Sequence, residues 1–282
     1  MKMGLLGSLS LLSGGSEFVP SAPKVRQLLA FLMLNTNVMV RLSDCVDELW
    51  DSAPPKSSTS TMQTYVLQIR RALKAAGATG ELLVTRTPGY QLSGGYVDWV
   101  AFTELTRSGR AAAGEGDDPA ASALLAEALS LWRGPVLTDV DYGPLSGAKV
   151  IELEESRLVA LEQRIEADLR LGRHDQLMDE LDVLTEEHPT HENLHAQCMI
   201  AQYRSGYQSL ALRTYDRLRA VLAESLGIDP TPRLRRLRRA IDTHASVLAP
   251  PRGMIPTARA NGVGPAGTQQ HITVEDPLRA VC

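Results

Sequence analysis

His191, Glu192 and His195 follow the order His-Glu-x-x-His, in which two histidines one helical turn apart bind zinc and the glutamate serves as general base. A hydrolytic zinc site also needs a third ligand and an open cleft. Here the match begins directly after Pro189-Thr190, at the first turn of a helix whose Leu194 is committed to packing, and no downstream His-x-x-Gly-x-x-His extension follows. The metal reading therefore ranks below an ordinary helix start. His174 and His188 enlarge the cluster without making it catalytic, so no metal, cofactor or catalytic residue is expected. The sequence has neither a phosphate loop of the form Gly-x-x-x-x-Gly-Lys-Ser/Thr nor a Gly-x-Ser-x-Gly elbow, so ATPase and hydrolase readings have no support.

A different chemistry is written between Pro54 and Leu92. Met62, Val66, Ile69 and Leu73 recur at steps of four, three and four and form the apolar stripe of a helix over about 57–76, which Gly77 ends. Thr61, Thr64, Gln68 and Arg71 make a polar stripe on the other side, flanked by Gln63, Arg70 and Lys74. Hydroxyls, an amide and guanidinium groups pair with phosphate oxygens and with base edges in a major groove. A solvated surface face has the same polarity, so the helix alone does not decide. The segment after it adds weight: Leu82-Leu83-Val84 is strand-like, Pro88-Gly89 is a turn, and Tyr90-Gln91-Leu92 returns. Arg86 near such a hairpin tip can enter a narrow minor groove. Helix plus hairpin reads as a winged helix that contacts duplex DNA.

Charge limits where that contact can lie. The 282 residues carry a formal net charge of −4, with 44% hydrophobic and 22% charged residues, an ordinary globular balance. Adsorption of the whole surface to nucleic acid is disfavoured, so a local patch is required. Between residues 55 and 90, Lys56, Arg70, Arg71, Lys74 and Arg86 face only Glu81. Cys45, Cys198 and Cys282 are far apart and odd in number, implying neither a disulfide framework nor a zinc knuckle, and a reducing cytoplasm suits them. The apolar run Met1 to Leu12 is interrupted by Ser and Gly before it reaches the length of a signal or membrane span, so it reads as the opening strands of a sheet.

Elements positioning these residues follow from periodicity. Strands are expected at Lys2 to Leu6 and Ser8 to Leu12. A first helix capped by Ser21 carries Val25, Leu28, Leu29 and Leu32, and a second is capped by Ser43, with Asp44, Asp47 and Glu48 complementing its dipole. Asp51-Ser52-Ala53-Pro54-Pro55 must be a loop. From Val97 onward only helices are expected: a break at Gly109 to Pro119, a helix from Ala120 to Trp132, a loop over 136–147 and a long helix from about Ala148 to Leu171. Gly172 and Gly206 then stand 34 residues apart, the period of tetratricopeptide helix hairpins. Arg233, Arg235, Arg236, Arg238 and Arg239 flank the apolar stripe Leu234, Leu237 and Ile241. They read as a packing helix balanced by the acidic segment 152–187, ahead of a second nucleic-acid contact. The expected fold class is an α+β winged helix-turn-helix over 1–95 followed by an all-α tetratricopeptide-like domain over 96–248, with a disordered tail at 249–282.

At this point the chain resembles the Streptomyces antibiotic regulatory proteins, which join an OmpR-type winged helix to a bacterial transcriptional activation domain. The resemblance rests on Ala22-Pro23-Lys24-Val25-Arg26-Gln27-Leu28-Leu29-Ala30, Glu48-Leu49-Trp50 through Pro54-Pro55, Tyr65 to Leu73 and Thr85-Arg86-Thr87-Pro88-Gly89-Tyr90. It continues with Leu131-Trp132-Arg133-Gly134-Pro135, Leu171-Gly172-Arg173-His174, Glu187-His188-Pro189, Tyr203-Arg204-Ser205-Gly206 and Leu226-Gly227-Ile228-Asp229-Pro230. It implies a cytoplasmic, nucleoid-associated activator that is not an enzyme and does not act at a membrane. Such an activator binds direct repeats in double-stranded promoter DNA beside a second copy of itself. It recruits RNA polymerase holoenzyme to a secondary-metabolite gene cluster. By position, Thr61, Arg70 and Arg71 look like phosphate contacts, Thr64 and Gln68 like base readers, Lys74 like part of the same basic face and Arg86 like the wing residue. Asp51, Ser52 and Lys56 fall in the loop that faces polymerase in OmpR-type activators. Leu67 and Gln68 stand where many such helices place Arg or Lys. The runner-up is a tetratricopeptide-type adaptor that binds protein only.

Overall fold

A computed structural model of the chain describes residues 1–245 and Leu248. The tail expected at 249–282, including Cys282, lies outside the described residues. The chain forms two compact units, Met1–Glu115 with Ala123–Leu161, and Gly116–Ser122 with the chain from Glu162 onward.

In the first unit, β1 (Lys2–Gly4) pairs antiparallel with β2 (Ser10–Ser13), which pairs with β3 (Ser16–Glu17). On its other side β1 pairs in parallel with β7 (Tyr96–Val97), Met3 lying opposite Val97. β1 is shorter than the apolar run Lys2 to Leu6 predicts, because the N–H groups of Leu5 and Leu6 leave the sheet and donate to the Asp98 carboxylate at 2.8 to 3.1 Å. Gly7, in the left-handed region at φ +132°, then turns the chain.

Next come α1 (Pro23–Leu34), β4 (Met39–Arg41), α2 (Leu42–Trp50) and α3 (Ser58–Ala75). β5 (Leu83–Arg86) and β6 (Gly89–Leu92) form the hairpin, and β4 joins it in a sheet of order β4-β6-β5. The residues from Leu28 to Leu34 are all buried, so α1 is the centre of this unit's core. The expected caps differ. Proline at the first helical position starts α1, with Ala22 rather than Ser21 at the cap. Ser43 lies inside α2, where its hydroxyl donates to Asp44, while the Leu42 N–H donates to the Pro88 carbonyl.

α4 (Asp98–Glu115) runs through most of the expected break: Ala111, Ala112 and Ala113 carry the helix past Gly109 and Gly114, and Gly116 at φ +81° ends it. α5 (Asp118–Ser130) and α6 (Pro144–Arg170) follow. α6 begins four residues earlier than expected, and Glu48 explains this. Its carboxylate is 1% exposed and accepts the N–H groups of Gly143, Leu145 and Ser146 at 2.7, 3.0 and 3.1 Å, together with the Ser146 hydroxyl at 2.6 Å. Glu48 therefore does not serve the dipole of its own helix. It holds the positive end of α6, where a carboxylate satisfies donors that have no partner within the helix. The approach is close enough that a Cβ on Gly143 would meet the Glu48 carbonyl oxygen at 2.0 Å.

The second unit contains a 3-10 turn at His174–Leu177, then α7 (Met178–Glu187), α8 (Glu192–Arg204), α9 (Gln208–Leu226) and α10 (Pro232–Asp242). α8 packs against α7 and α9, and α9 against α10. Gly172 and Gly206 both take left-handed φ values, +75° and +87°, where the preceding helices stop. The chain is thus a winged-helix region followed by helices alone.

Replacing Glu48 by Ala leaves the N–H groups of Gly143 and Leu145, and both the N–H and the hydroxyl of buried Ser146, without their acceptor. Urea unfolding of Glu48→Ala is expected to show a loss of about 3 kcal/mol or more, with Glu48→Gln recovering part. Gly143→Ala is expected to destabilise through the steric clash instead. An unchanged midpoint in both would contradict this account.

Candidate nucleic-acid interface

α3 buries Met62, Val66, Ile69 and Leu73, as its period predicts. The outward face is made by Ser60, Gln63, Thr64, Leu67, Arg71 and Lys74, all exposed, while Thr61 and Gln68 are half-buried at one flank. The centre of the face therefore lies at Thr64, Leu67 and Arg71 rather than at Gln68. Leu67 is 47% exposed. Placing each residue 100° from the last around the helix, opposite the apolar stripe, locates this centre from sequence alone. The Thr64 hydroxyl donates back to the Ser60 carbonyl at 3.2 Å, and the Ser60 hydroxyl donates to the Ser57 carbonyl at 3.0 Å. Both side chains are held against the helix with acceptor lone pairs still available.

Arg70 does not stand with the others. Its Nε donates to the Leu83 carbonyl at 2.9 Å and an Nη donates to the Thr85 hydroxyl at 2.9 Å, while Glu81 lies 3.2 Å away. The guanidinium that the family resemblance assigns to phosphate here fastens α3 to β5. By contrast, among the described residues Arg71, Lys74 and Arg86 have no carboxylate partner.

The hairpin turn falls at Thr87-Pro88, one residue earlier than expected, so Gly89 already belongs to β6 and pairs with Arg86. Gly89 also pairs with Arg41 of β4, and a Cβ at this position would lie 1.9 Å from the Val40 carbonyl oxygen. Only glycine admits that contact. Arg86 is thereby presented, exposed, at the tip of a hairpin held by α3 on one side and β4 on the other.

The α2–α3 loop is exposed from Asp51 to Ser57. Trp50 stacks on Tyr65 with ring centroids 6.3 Å apart, which fixes the start of the loop to α3. Asp51 adopts φ +51° and its N–H donates to the Asp47 carbonyl, closing α2. Behind the loop, the carbonyls of Glu48 and Leu49 accept from Gln27 Nε2 and Lys24 Nζ at 2.7 and 2.5 Å. Asp51, Ser52 and Lys56 therefore project from a short, well-anchored segment.

The histidine motif is occupied in other ways. His191 Nε2 lies 3.0 Å from Glu162, which raises its pKa. Glu192 accepts the Thr231 N–H and hydroxyl at 3.0 and 2.5 Å, at the N-terminus of α10. His195 is buried with neither ring nitrogen hydrogen-bonded. Among the described residues no group of three His, Cys, Asp or Glu side chains could hold a metal ion. Burial also pushes the thiols of Cys45 and Cys198 up to about 12. No described helix is long and apolar enough to cross a membrane.

Comparison with known proteins accords with this geometry. Residues 15–92 match the family described as transcriptional regulatory protein, C terminal, and residues 97–242 match the bacterial transcriptional activator domain. The regulatory protein DnrI of Streptomyces peucetius is 43% identical over 249 residues, an alignment that covers 86% of this chain and 92% of DnrI. The chain belongs to the Streptomyces antibiotic regulatory protein family. The regulatory protein AfsR of Streptomyces coelicolor is 34% identical over 244 residues, but this chain spans only 24% of it. Among solved structures, Mycobacterium tuberculosis EmbR in complex with a low-affinity phosphopeptide superposes with a TM-score of 0.81 at 36% identity, over 86% of this chain and 65% of that one. The chain is a transcriptional regulator of this family, with an OmpR-type domain and an activator domain.

Two measurements test the site. Arg71→Ala is expected to weaken binding to all duplex sequences and to lower the slope of log K against log salt by about 0.9. Arg70→Ala should instead lower the melting temperature and loosen the hairpin, and Arg70→Lys should not restore it, since one ammonium cannot reproduce the fork. Identical behaviour of the two alanine variants would refute the distinction. The second measurement concerns His195, whose pKa burial and then the Arg217 charge lower to about 4, from an ordinary 6.5. Between those values the unfolded chain binds the extra proton, so this contribution to stability is complete above 6.5 and is lost on acidification toward 4. Melting curves from about pH 7 to about pH 4.5 should fall less steeply for His195→Gln than for the parent chain.

Proposed function

We propose that this regulator is a sequence-specific activator that binds direct repeats in promoter DNA beside a second copy of itself and draws RNA polymerase holoenzyme to a secondary-metabolite gene cluster. Residues 1–95 act as the DNA-binding domain and 96–248 as the activation domain, in the cytoplasm. The observation that carries this reading is the outward face of α3, polar and basic without acidic partners, set beside a hairpin that offers Arg86. α3 enters the major groove. Thr61, Arg71 and Lys74 meet phosphates, Thr64 and Gln68 meet base edges, and Leu67 supplies the apolar surface a thymine methyl requires. Arg86 enters the adjacent minor groove. The anchored loop with Asp51, Ser52 and Lys56 faces polymerase, and its stiffness lowers the ordering cost of docking.

Binding and transcription on one promoter test this together. Two winged helices in the same orientation must present the same face to the duplex, so the half-sites should repeat at about one helical turn. Inserting about five base pairs between them turns one copy half a turn away and should abolish activation, and a full-turn insertion should restore part of it. Asp51→Ala and Lys56→Ala should reduce transcription while DNA affinity stays unchanged. A protein that shifts scrambled and promoter DNA equally would leave the adaptor reading in its place.

A further inference from the structure

α10 carries the densest run of positive charge in the chain, and the structure leaves it unbalanced. Leu234, Leu237 and Ile241 are buried, which fixes the helix against its neighbours and turns Arg235, Arg236 and Arg239 outward. The expected balance with the acidic segment 152–187 is not formed. Four of those carboxylates are paired with other cations: Asp168 with Arg164 and Arg173, Glu166 with Arg170, Glu180 with Arg164 and Glu162 with His191. Among the described residues none of Arg235, Arg236, Arg238 and Arg239 has a carboxylate partner. Asp216 on α9 and Asp242 on α10 form no ion pair with them. These four arginines, with Tyr215 and Pro232, line an open cleft of about 470 Å³. Arg238 lies over the ring of the buried Tyr215, 5.5 Å from its centroid, so one guanidinium is already oriented.

Resting on the reading of the chain as a DNA-binding regulator, we infer that α10 is a second DNA contact, a rail of arginines that grips the sugar-phosphate backbone of duplex DNA without reading sequence. Three features select this occupant. Guanidinium groups present planar forks that match phosphate oxygens. Arg235 and Arg239 stand one turn apart on the helix, roughly 6 Å along its axis, with Arg236 beside them, so they can meet neighbouring phosphates of one strand, which suits a linear polyanion. Once α3 holds an operator, the same duplex is at high local concentration, so a contact too weak to act alone contributes to affinity.

The test uses the full chain with Arg235, Arg236 and Arg239 replaced together by Gln, leaving Arg238 on Tyr215. Titrations of promoter duplex and of a scrambled duplex of equal length are run across a salt series. The triple variant should bind both more weakly, keep the ratio between them, and show a slope of log K against log salt smaller by about two to three. The same three positions changed to Lys should retain most of the slope. Should the triple variant lose its helical circular dichroism, Arg235→Gln and Arg239→Gln singly, each expected to lower the slope by about 0.9, decide the question. An unchanged slope in a folded variant overturns the inference. So does normal DNA binding with reduced transcription, which would assign the arginines to an acidic protein surface. Loss of promoter preference in the unmodified chain would instead refute the proposed function.

Discussion

A buried carboxylate with four donors around it holds the first unit together. Glu48 lies on α2 two residues before Trp50 and three before Asp51, so the residue that caps α6 stands directly ahead of the exposed loop. Removing a charge from water is costly, and here three N–H groups and a hydroxyl, each of which would otherwise lack a partner at a helix start, offset that cost. Asp98 repeats the arrangement at the other side of the unit, where it takes the Leu5 and Leu6 N–H groups and an arginine, Arg133, at 3.2 Å. The winged-helix elements are therefore not independent of the helices after them: the same acidic side chains end a strand and start a helix.

This fixity bears on recognition. The reading of bases proposed for α3 requires its side chains to be held to within fractions of an ångström, and α3 is held from three directions. Its apolar stripe is buried on α1 and α2, Tyr65 stacks with Trp50, and Arg70 fastens its far end to β5. The hairpin is located in turn by Gly89 against Val40. The outward side chains of α3 thus project from a frame whose parts fix one another, while Arg71, Lys74 and Arg86 have no carboxylate partner among the described residues.

Periodicity made much of this legible. The stripe from Met62 to Leu73, the breaks at Gly77, Gly172 and Gly206, and the helical run after Val97 can all be read from spacing, because local sequence dominates at those points. What could not be read depends on residues far apart in the chain. Glu48 looked like a dipole partner of its own helix because nothing nearby announces that Gly143 will approach it 95 residues later. Arg70 looked free because its acceptors lie on a strand. Leu67 needs no distant residue to be placed, because the helical wheel alone puts it on the open face. The tripled alanine that carries α4 past its glycines shows the opposite failing, a composition of Ala and Gly read as a break.

β7 gives the chain a property that matters to anyone who would divide it. The strand follows the hairpin yet pairs in parallel with β1, so residues 2–4 and the residues just after the hairpin are stitched into one sheet. A fragment stopped at residue 95 would lack Tyr96, Val97 and Asp98 together. One side of β1 would then present unpaired backbone groups, and the Leu5 and Leu6 N–H groups would have lost their acceptor. Such an edge pairs readily with another chain. The winged-helix half of this regulator can be moved onto a different effector domain, by evolution or by an engineer, only if the graft carries a strand and a carboxylate that belong by sequence to the half left behind.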